Sequence, residues 1–202
     1  ELNLISHRAW SGHSDTETLL AAIEEWGLKE ALKKAKGMFA LALWDKCNHH
    51  LYLACDRIGE KPLYYGWVND QFVFASELKA IKKFPEFKNT IDRNSLALFL
   101  RFNSIPSPHS IYEDISKLEP GHIIQFHAGS KKLNKDSFWS IEEVYKKGSI
   151  AEFSGTPSEA VNQLEGVLLK AVSSQMESDV PLGAFLSGGI DSSTIVALMQ
   201  SH

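Results

Sequence analysis

Pro181-Leu182-Gly183-Ala184-Phe185-Leu186 leads into Ser187-Gly188-Gly189-Ile190-Asp191-Ser192-Ser193, and an apolar run from Thr194 to Met199 follows. The order reads as a strand, a tight turn and a helix. Ser187, Gly188 and Gly189 are small enough to let backbone N–H groups approach an anion, and the hydroxyls of Ser192 and Ser193 stand where the helix begins. Unpaired amides and the helix dipole favour a phosphate at such a place. Asp191 would repel that phosphate if it faced it bare, which implies a divalent cation bridging carboxylate and phosphate oxygens. No Lys follows the glycines, so the loop is not the GK[ST] type. A plain Ser/Gly turn before a buried helix would explain the two glycines; the full strand–turn–helix context argues for the phosphate reading.

SGGIDSS resembles the pyrophosphate loop of the N-type ATP pyrophosphatases, which split ATP into AMP and pyrophosphate while adenylating a substrate. The longer string DVPLGAFLSGGIDSS is similar to that of the glutamine-hydrolysing asparagine synthetases. The resemblance implies ATP and Mg²⁺ as cofactors. It gives Ser187, Gly188, Gly189, Asp191, Ser192 and Ser193 the pyrophosphate, Asp191 the Mg²⁺, and Leu186 a place against the adenosine.

The composition agrees with a globular protein of one or two domains: 202 residues, 44% hydrophobic and 23% charged. A net charge of −4 leaves no basic footprint for nucleic acid. No apolar run is long enough for a membrane span and no signal-peptide pattern opens the chain, so a cytoplasmic location is expected. Cys47 and Cys55 flank an expected turn and read as free thiols. The eight histidines show no metal-site spacing and read as scattered surface or core residues. Glu1 in place of a Met, and an end at His202 soon after the loop, lead to the expectation that this is a fragment lacking both ends. A lone strand with two helices cannot bury a doubly wound core.

Ser14-Asp15-Thr16-Glu17 has the form of a capping box, with Leu19, Leu20, Ile23 and Trp26 at helical spacing and Gly27 as the stop. Asp15 therefore sits in a first helical turn, where by default it offsets the dipole. A second amphipathic segment, Leu28 to Lys36, ends at Gly37. Met38 to Asp45 and Leu51 to Cys55 read as paired strands about the turn Lys46 to His50; Leu63 to Val68 and Gln71 to Ala75 pair about Asn69-Asp70. The run reads as an antiparallel meander with a short helix from Ser76.

SDTE, GMFALALWD, CDRIGEKPLYYG and FASELKAI, in that order, are similar to the class II glutamine amidotransferase domain that precedes the synthetase domain in asparagine synthetases. The resemblance implies an N-terminal-nucleophile αββα sandwich in which an amino-terminal Cys attacks the glutamine amide. It implies for Asp15 a role holding the α-amino group of glutamine, a charge-assisted pair. Met38 matches a position lining the family's ammonia tunnel, although a Met in a strand also suits core packing. In Asp56-Arg57-Ile58-Gly59-Glu60-Lys61-Pro62, Glu60 and Lys61 read as a solvated turn and Asp56 with Arg57 as a buried pair. The family's N-terminal Cys, carboxylate-binding Arg and oxyanion-hole Asn-Gly do not precede Ser14. Cys47 and Cys55 cannot replace that nucleophile, being internal with no free amine beside them, so no catalytic residue is assigned and the fragment alone is expected to be inactive.

Asp92 caps a helix whose Leu96, Phe99, Leu100 and Phe102 share a face. Ile105-Pro106-Ser107-Pro108 is a turn, and Glu119-Pro120-Gly121-His122 turns into a strand from Ile123 to Phe126, resembling the family's closing strand. From Ala128 the pattern weakens. Thr156-Pro157-Ser158-Glu159 then opens a helix with N-cap, Pro at N1 and Glu at N3, and the stripe Val161, Leu164, Val167, Leu168, Ala171 and Val172 is expected against the strand that feeds the phosphate loop.

The expected organisation is an incomplete amidotransferase sandwich of the α+β class over 1–127, a linker over 128–155, and the start of an α/β doubly wound parallel-sheet synthetase domain over 156–202. The resemblance implies glutamine, aspartate and ATP as small-molecule partners, with no nucleic acid and no membrane; a homodimer is left open. It implies asparagine synthesis by ATP-driven adenylation of the aspartate carboxylate and amidation with glutamine-derived ammonia. The alternatives are an amidotransferase acting on another carboxylate and a non-enzymatic relative that has lost the glutaminase. Another N-type pyrophosphatase, such as a GMP synthetase, fits less well, because its amidotransferase domain carries an internal Cys in a nucleophile elbow that this sequence does not show.

Overall fold

The computed structural model describes residues 10–12 and 14–201. The start at Glu1, on which the expectation of a missing N-terminal part rests, lies outside them. The chain divides into two compact units, Glu1–Val144 and Tyr145–His202.

In the first unit two antiparallel sheets are built from hairpins. Strands β1 (Ala40–Asp45) and β2 (His50–Cys55) pair in the register Asp45↔His50 through Ala40↔Cys55. The turn between them is held by the Asp45 carboxylate, which accepts from the amides of Cys47 at 2.9 Å and Asn48 at 3.1 Å. Strands β3 (Tyr64–Val68) and β4 (Gln71–Ala75) pair about a turn in which Asn69 adopts φ 52°. The two hairpins do not form one meander. β2 takes β6 (His122–His127) as its second neighbour and β3 takes β5 (Ile115–Lys117), so the orders are β1-β2-β6-β7 and β4-β3-β5, with β7 at Lys132–Ser137. The loop 56–62 carries the chain from one sheet to the other.

The alternation of side chains explains why both sheets are needed. On one face of the first sheet Leu53, Cys55 and Ile124 bury against Leu63 and Leu118, with Tyr65 and Phe72 packed on them, and Phe72 stacks on Phe126 across the sheets at 4.4 Å. On the opposite face Ala54, Ile123 and Phe138 bury with Leu32 under helices α1 (Asp15–Trp26) and α2 (Leu28–Lys34). Val68, Val73 and Ile115 of the second sheet bury with Ile81 of α3 (Leu78–Ile81). Leu53 is 0% exposed, and burying such a side chain is worth roughly 1.5–3 kcal/mol.

Two expectations need correction in this unit: the single meander, as above, and the capping box at Ser14. Ser14 is the N-cap and accepts from Thr16 N, but Glu17 accepts from the amides of Ser11 at 2.8 Å and Gly12 at 3.0 Å rather than closing the capping box. Helix α4 (Arg93–Phe102) is capped by Asp92 as expected; Leu96, Phe99, Leu100 and Phe102 are exposed, and the buried position is Ser95, whose hydroxyl donates to Asp92. Within the stretch 128–155, read above as a linker, β7 continues the first sheet and α5 (Ile141–Ile150) follows. The amides of Phe138 and Trp139 also return to the Gly121 carbonyl, which ties the end of this segment to the start of β6.

The second unit is helical. Thr156 and Glu159 complete a capping box at the start of α6 (Pro157–Ser173), with Pro at the first turn as expected. α6 packs on α7 (Ile190–Gln200). Its half-buried positions include Leu168, Leu169 and Val172, whereas Val161, Leu164 and Val167 are exposed. The stretch Pro181–Leu186, expected as a strand against that stripe, forms no strand. A strand exists only through a neighbour that takes its amides and carbonyls, and among the described residues no segment pairs with it.

Candidate functional site

The residues singled out in the sequence gather in two places, one in each unit. In the first unit a groove of about 1110 Å³ lies between the start of α1 and the segment that runs from the end of α2 into β1. Asp15 and Thr16 line one side; Lys36, Met38 and Phe39 line the other. The first turn of α1 fixes Asp15. Thr16 N–H is shared between Asp15 Oδ1 at 2.7 Å and Ser14 Oγ at 3.1 Å, leaving Asp15 Oδ2 without a protein donor among the described residues. A carboxylate so placed can take an ammonium group. Met38 is 57% exposed and lines the groove, which removes the core-packing alternative for it.

Asp56 is the residue beside the groove that sequence reasoning misread. It does not pair with Arg57. It is 1% exposed, and its carboxylate accepts from the backbone amides of Ile58 (3.2 Å), Glu60 (3.0 Å), Lys61 (3.0 Å) and Phe39 (3.3 Å). Burial alone would raise its pKa, but these amides, with that of Lys61 foremost, outweigh the burial and hold it below the ordinary carboxylate range. Arg57 instead donates through Nη2 to the Lys33 carbonyl at 2.6 Å. The signal that could have found this is an Asp followed closely by Gly in a turn, whose side chain accepts from amides a few residues on.

In the second unit the loop Ser187–Ser193 adopts the turn-to-helix form read from the sequence. Gly188 has φ 78°, and an added Cβ there would meet nothing within 4 Å, so the requirement for glycine is conformational and not steric. Gly189 is the N-cap of α7 and no side chain caps the helix. Ser193 N–H makes the first intrahelical bond, to Gly189 O at 3.1 Å, so the amides of Ile190, Asp191 and Ser192 have no helical acceptor. Ser187 Oγ and Ser192 Oγ lie 2.9 Å apart, and the hydroxyls of Ser192 and Ser193 return to Gly189 O at 3.1 and 2.8 Å. These contacts close the loop around its two glycines. Asp191 is exposed in the first helical turn, and Leu186 is exposed beside the loop. One carboxylate beside free amides suits a Mg²⁺ that keeps most of its shell on phosphate oxygens and water. Among the described residues no cluster of three or more His, Cys, Asp or Glu could hold a metal by itself.

The two cysteines stand apart chemically. Cys47 is exposed in the β1–β2 turn, while Cys55 is buried and its thiol is pushed up to about 12, by desolvation first and the adjacent Asp56 charge second. No helix among the described residues is long and apolar enough to cross a membrane.

Residues 1–139 match the family described as "Glutamine amidotransferase domain", and residues 163–202 match the one described as "Asparagine synthase". A glutamine-hydrolysing asparagine synthetase 1 of Bacillus subtilis is 37% identical over 187 residues, covering 93% of this chain and 28% of the relative. Asparagine synthetase 3 of the same organism is 34% identical over 190 residues, covering 94% of this chain and 29% of the relative. The chain thus spans under a third of the length of these curated relatives. Among solved structures, an allosteric regulatory enzyme of purine biosynthesis is similar over 66% of this chain and 24% of its own, at 21% identity and a TM-score of 0.45. Since the first family match takes in more than half of the chain, the protein belongs to the glutamine amidotransferase domain family, with the start of an asparagine synthase domain following.

Proposed function

We propose that the chain is part of a cytoplasmic, glutamine-dependent asparagine synthetase. The observation that carries the reading is the order of parts on one chain: a carboxylate-bearing groove in an amidotransferase domain, then a glycine loop that ends in an uncapped helix N-terminus. In this reading the first unit is an N-terminal-nucleophile sandwich whose Asp15 holds the α-ammonium of glutamine. The second unit begins a doubly wound synthetase domain. Ser187, Gly188, Gly189, Ser192 and Ser193 hold the pyrophosphate of ATP, Asp191 holds its Mg²⁺, and Leu186 lies against the adenosine.

The division of labour follows from the chemistry of each place. The groove releases ammonia from the glutamine amide, and the loop stabilises charge on the leaving pyrophosphate while the aspartate side-chain carboxylate attacks the α-phosphorus of ATP. The acyl-adenylate so formed is then attacked by ammonia, releasing AMP. In the intact protein purified from its source, Asp191→Asn should abolish aspartate-dependent exchange of labelled pyrophosphate into ATP and leave glutamine hydrolysis largely intact. Equal loss of both activities would sink the assignment. Exchange driven better by another carboxylic acid than by aspartate would keep the loop chemistry and move the acceptor.

A further inference from the structure

The segment between α2 and β1 is irregular, with Gly37 at φ 118°, yet it forms one wall of the Asp15 groove. A wall without a helix or sheet ladder of its own needs anchors. Both come from one dipeptide in the loop that crosses between the sheets.

At the far end of the wall, Phe39 is held twice by Asp56. Phe39 N–H donates to the Asp56 carboxylate at 3.3 Å, and Asp56 N–H donates to Phe39 O at 2.9 Å. Three of the four amides on Asp56 belong to its own turn and would suffice to shape it. The fourth comes from a residue 17 positions earlier, immediately after the groove residue Met38. At the near end, the Lys33 carbonyl belongs to the last turn of α2, where carbonyls lack helical donors. Arg57 supplies one from its guanidinium at 2.6 Å, a charge-assisted bond. Lys33 lines the groove as well.

We propose that Asp56 and Arg57 form a clamp that positions the Lys33–Phe39 wall of the groove, and so sets the affinity of the Asp15 site for an α-amino acid ligand. They are positioning residues: neither lines the groove. The clamp stands on the geometry alone, while its effect on a ligand rests on the reading of the groove as a glutamine site.

The test uses the intact protein purified from its source with Arg57→Ala and Asp56→Asn, comparing amide hydrogen exchange at 35–39 with that at Leu53 and Ile124, alongside the urea midpoint and L-glutamine titration. Arg57→Ala should raise exchange at 35–39 about tenfold, the loss expected of one charge-assisted hydrogen bond, with the sheet amides and the urea midpoint unmoved. L-Glutamine affinity should fall by a similar factor. Asp56→Asn should do the same at Phe39 if it folds; Arg57 is only half-buried, so its variant decides the matter if Asp56→Asn does not. In Arg57→Ala, exchange unchanged at 35–39, or raised equally across the sheet, overturns the clamp. So does glutamine affinity that stays constant while the wall loosens. An intact wild-type protein that shows no glutamine binding counts against the glutamine reading, and the exchange data then decide the clamp independently.

Discussion

The first unit and the second use the same local grammar and reach different ends. Of helices α1 and α6, α6 has the better start, with a reciprocal capping box and Pro in its first turn, while α1 has half of one. Yet the largest fully buried side chains among the described residues, Leu32, Leu53, Ile124, Asp56, Cys55 and Ser95, all lie in the first unit. In the second unit Leu198 is the one side chain that counts as buried among the described residues. Caps and propensity decide where a helix begins. They do not decide what it packs against, and most helical stability in proteins comes from that packing.

The strongest way to break the contrast is a matched pair of truncations. Leu53→Ala, at a position with no exposure, should cost about 2–5 kcal/mol in urea unfolding, whereas Leu164→Ala, at 58% exposure, should stay within about 0.5 kcal/mol. Similar losses for both would mean that the second unit buries its stripe in solution.

A smaller effect is expected at Asp56. Asp56→Asn should cost roughly 1–3 kcal/mol near neutrality, because buried amides lose an ionised acceptor. The sign with pH follows from the lowered pKa. The stabilisation is fully present above the unfolded value of about 3.9 and is lost as pH falls from there through the folded one. The gap between wild type and Asp56→Asn should therefore close below about pH 4; a constant gap would mean that the carboxylate charge contributes nothing. The mildest perturbation is chemical labelling. At pH 8 a thiol reagent should modify Cys47 and leave Cys55 untouched until the fold opens, given exposure of the first and burial of the second with its thiol raised to about 12.

What was legible in the sequence was local. The hairpin turns, the Thr156 capping box, the Asp92 cap and the glycine loop each depend on residues within a few positions of one another, and each stands where its pattern placed it. The assignment of the two hairpins to different sheets depends on β5 and β6, which lie far along the chain from β3 and β2, and nothing in the hairpins themselves announces it. β7 escaped notice for a different reason. Its sequence KLNKDS is exposed at nearly every position, so it lacks the apolar alternation by which strands are recognised. The apolar stripe of α6 was legible as a stripe and misleading as to what it packs on, since an amphipathic pattern names a face and not its partner. Asp56 was seen as a charge to be neutralised by a neighbouring charge, when backbone amides supply the neutralising partners.

That same polar strand gives the first sheet a direction. β7 closes one margin with Lys132 and Lys135, residues that discourage a further strand from joining there. The other margin is β1, whose ALALWD sequence is apolar and which has β2 as its one paired neighbour among the described residues. In the language of polymer growth the sheet has a blocked end and a competent end, so any extended chain that adds to it, whether its own or foreign, is expected to add beside β1.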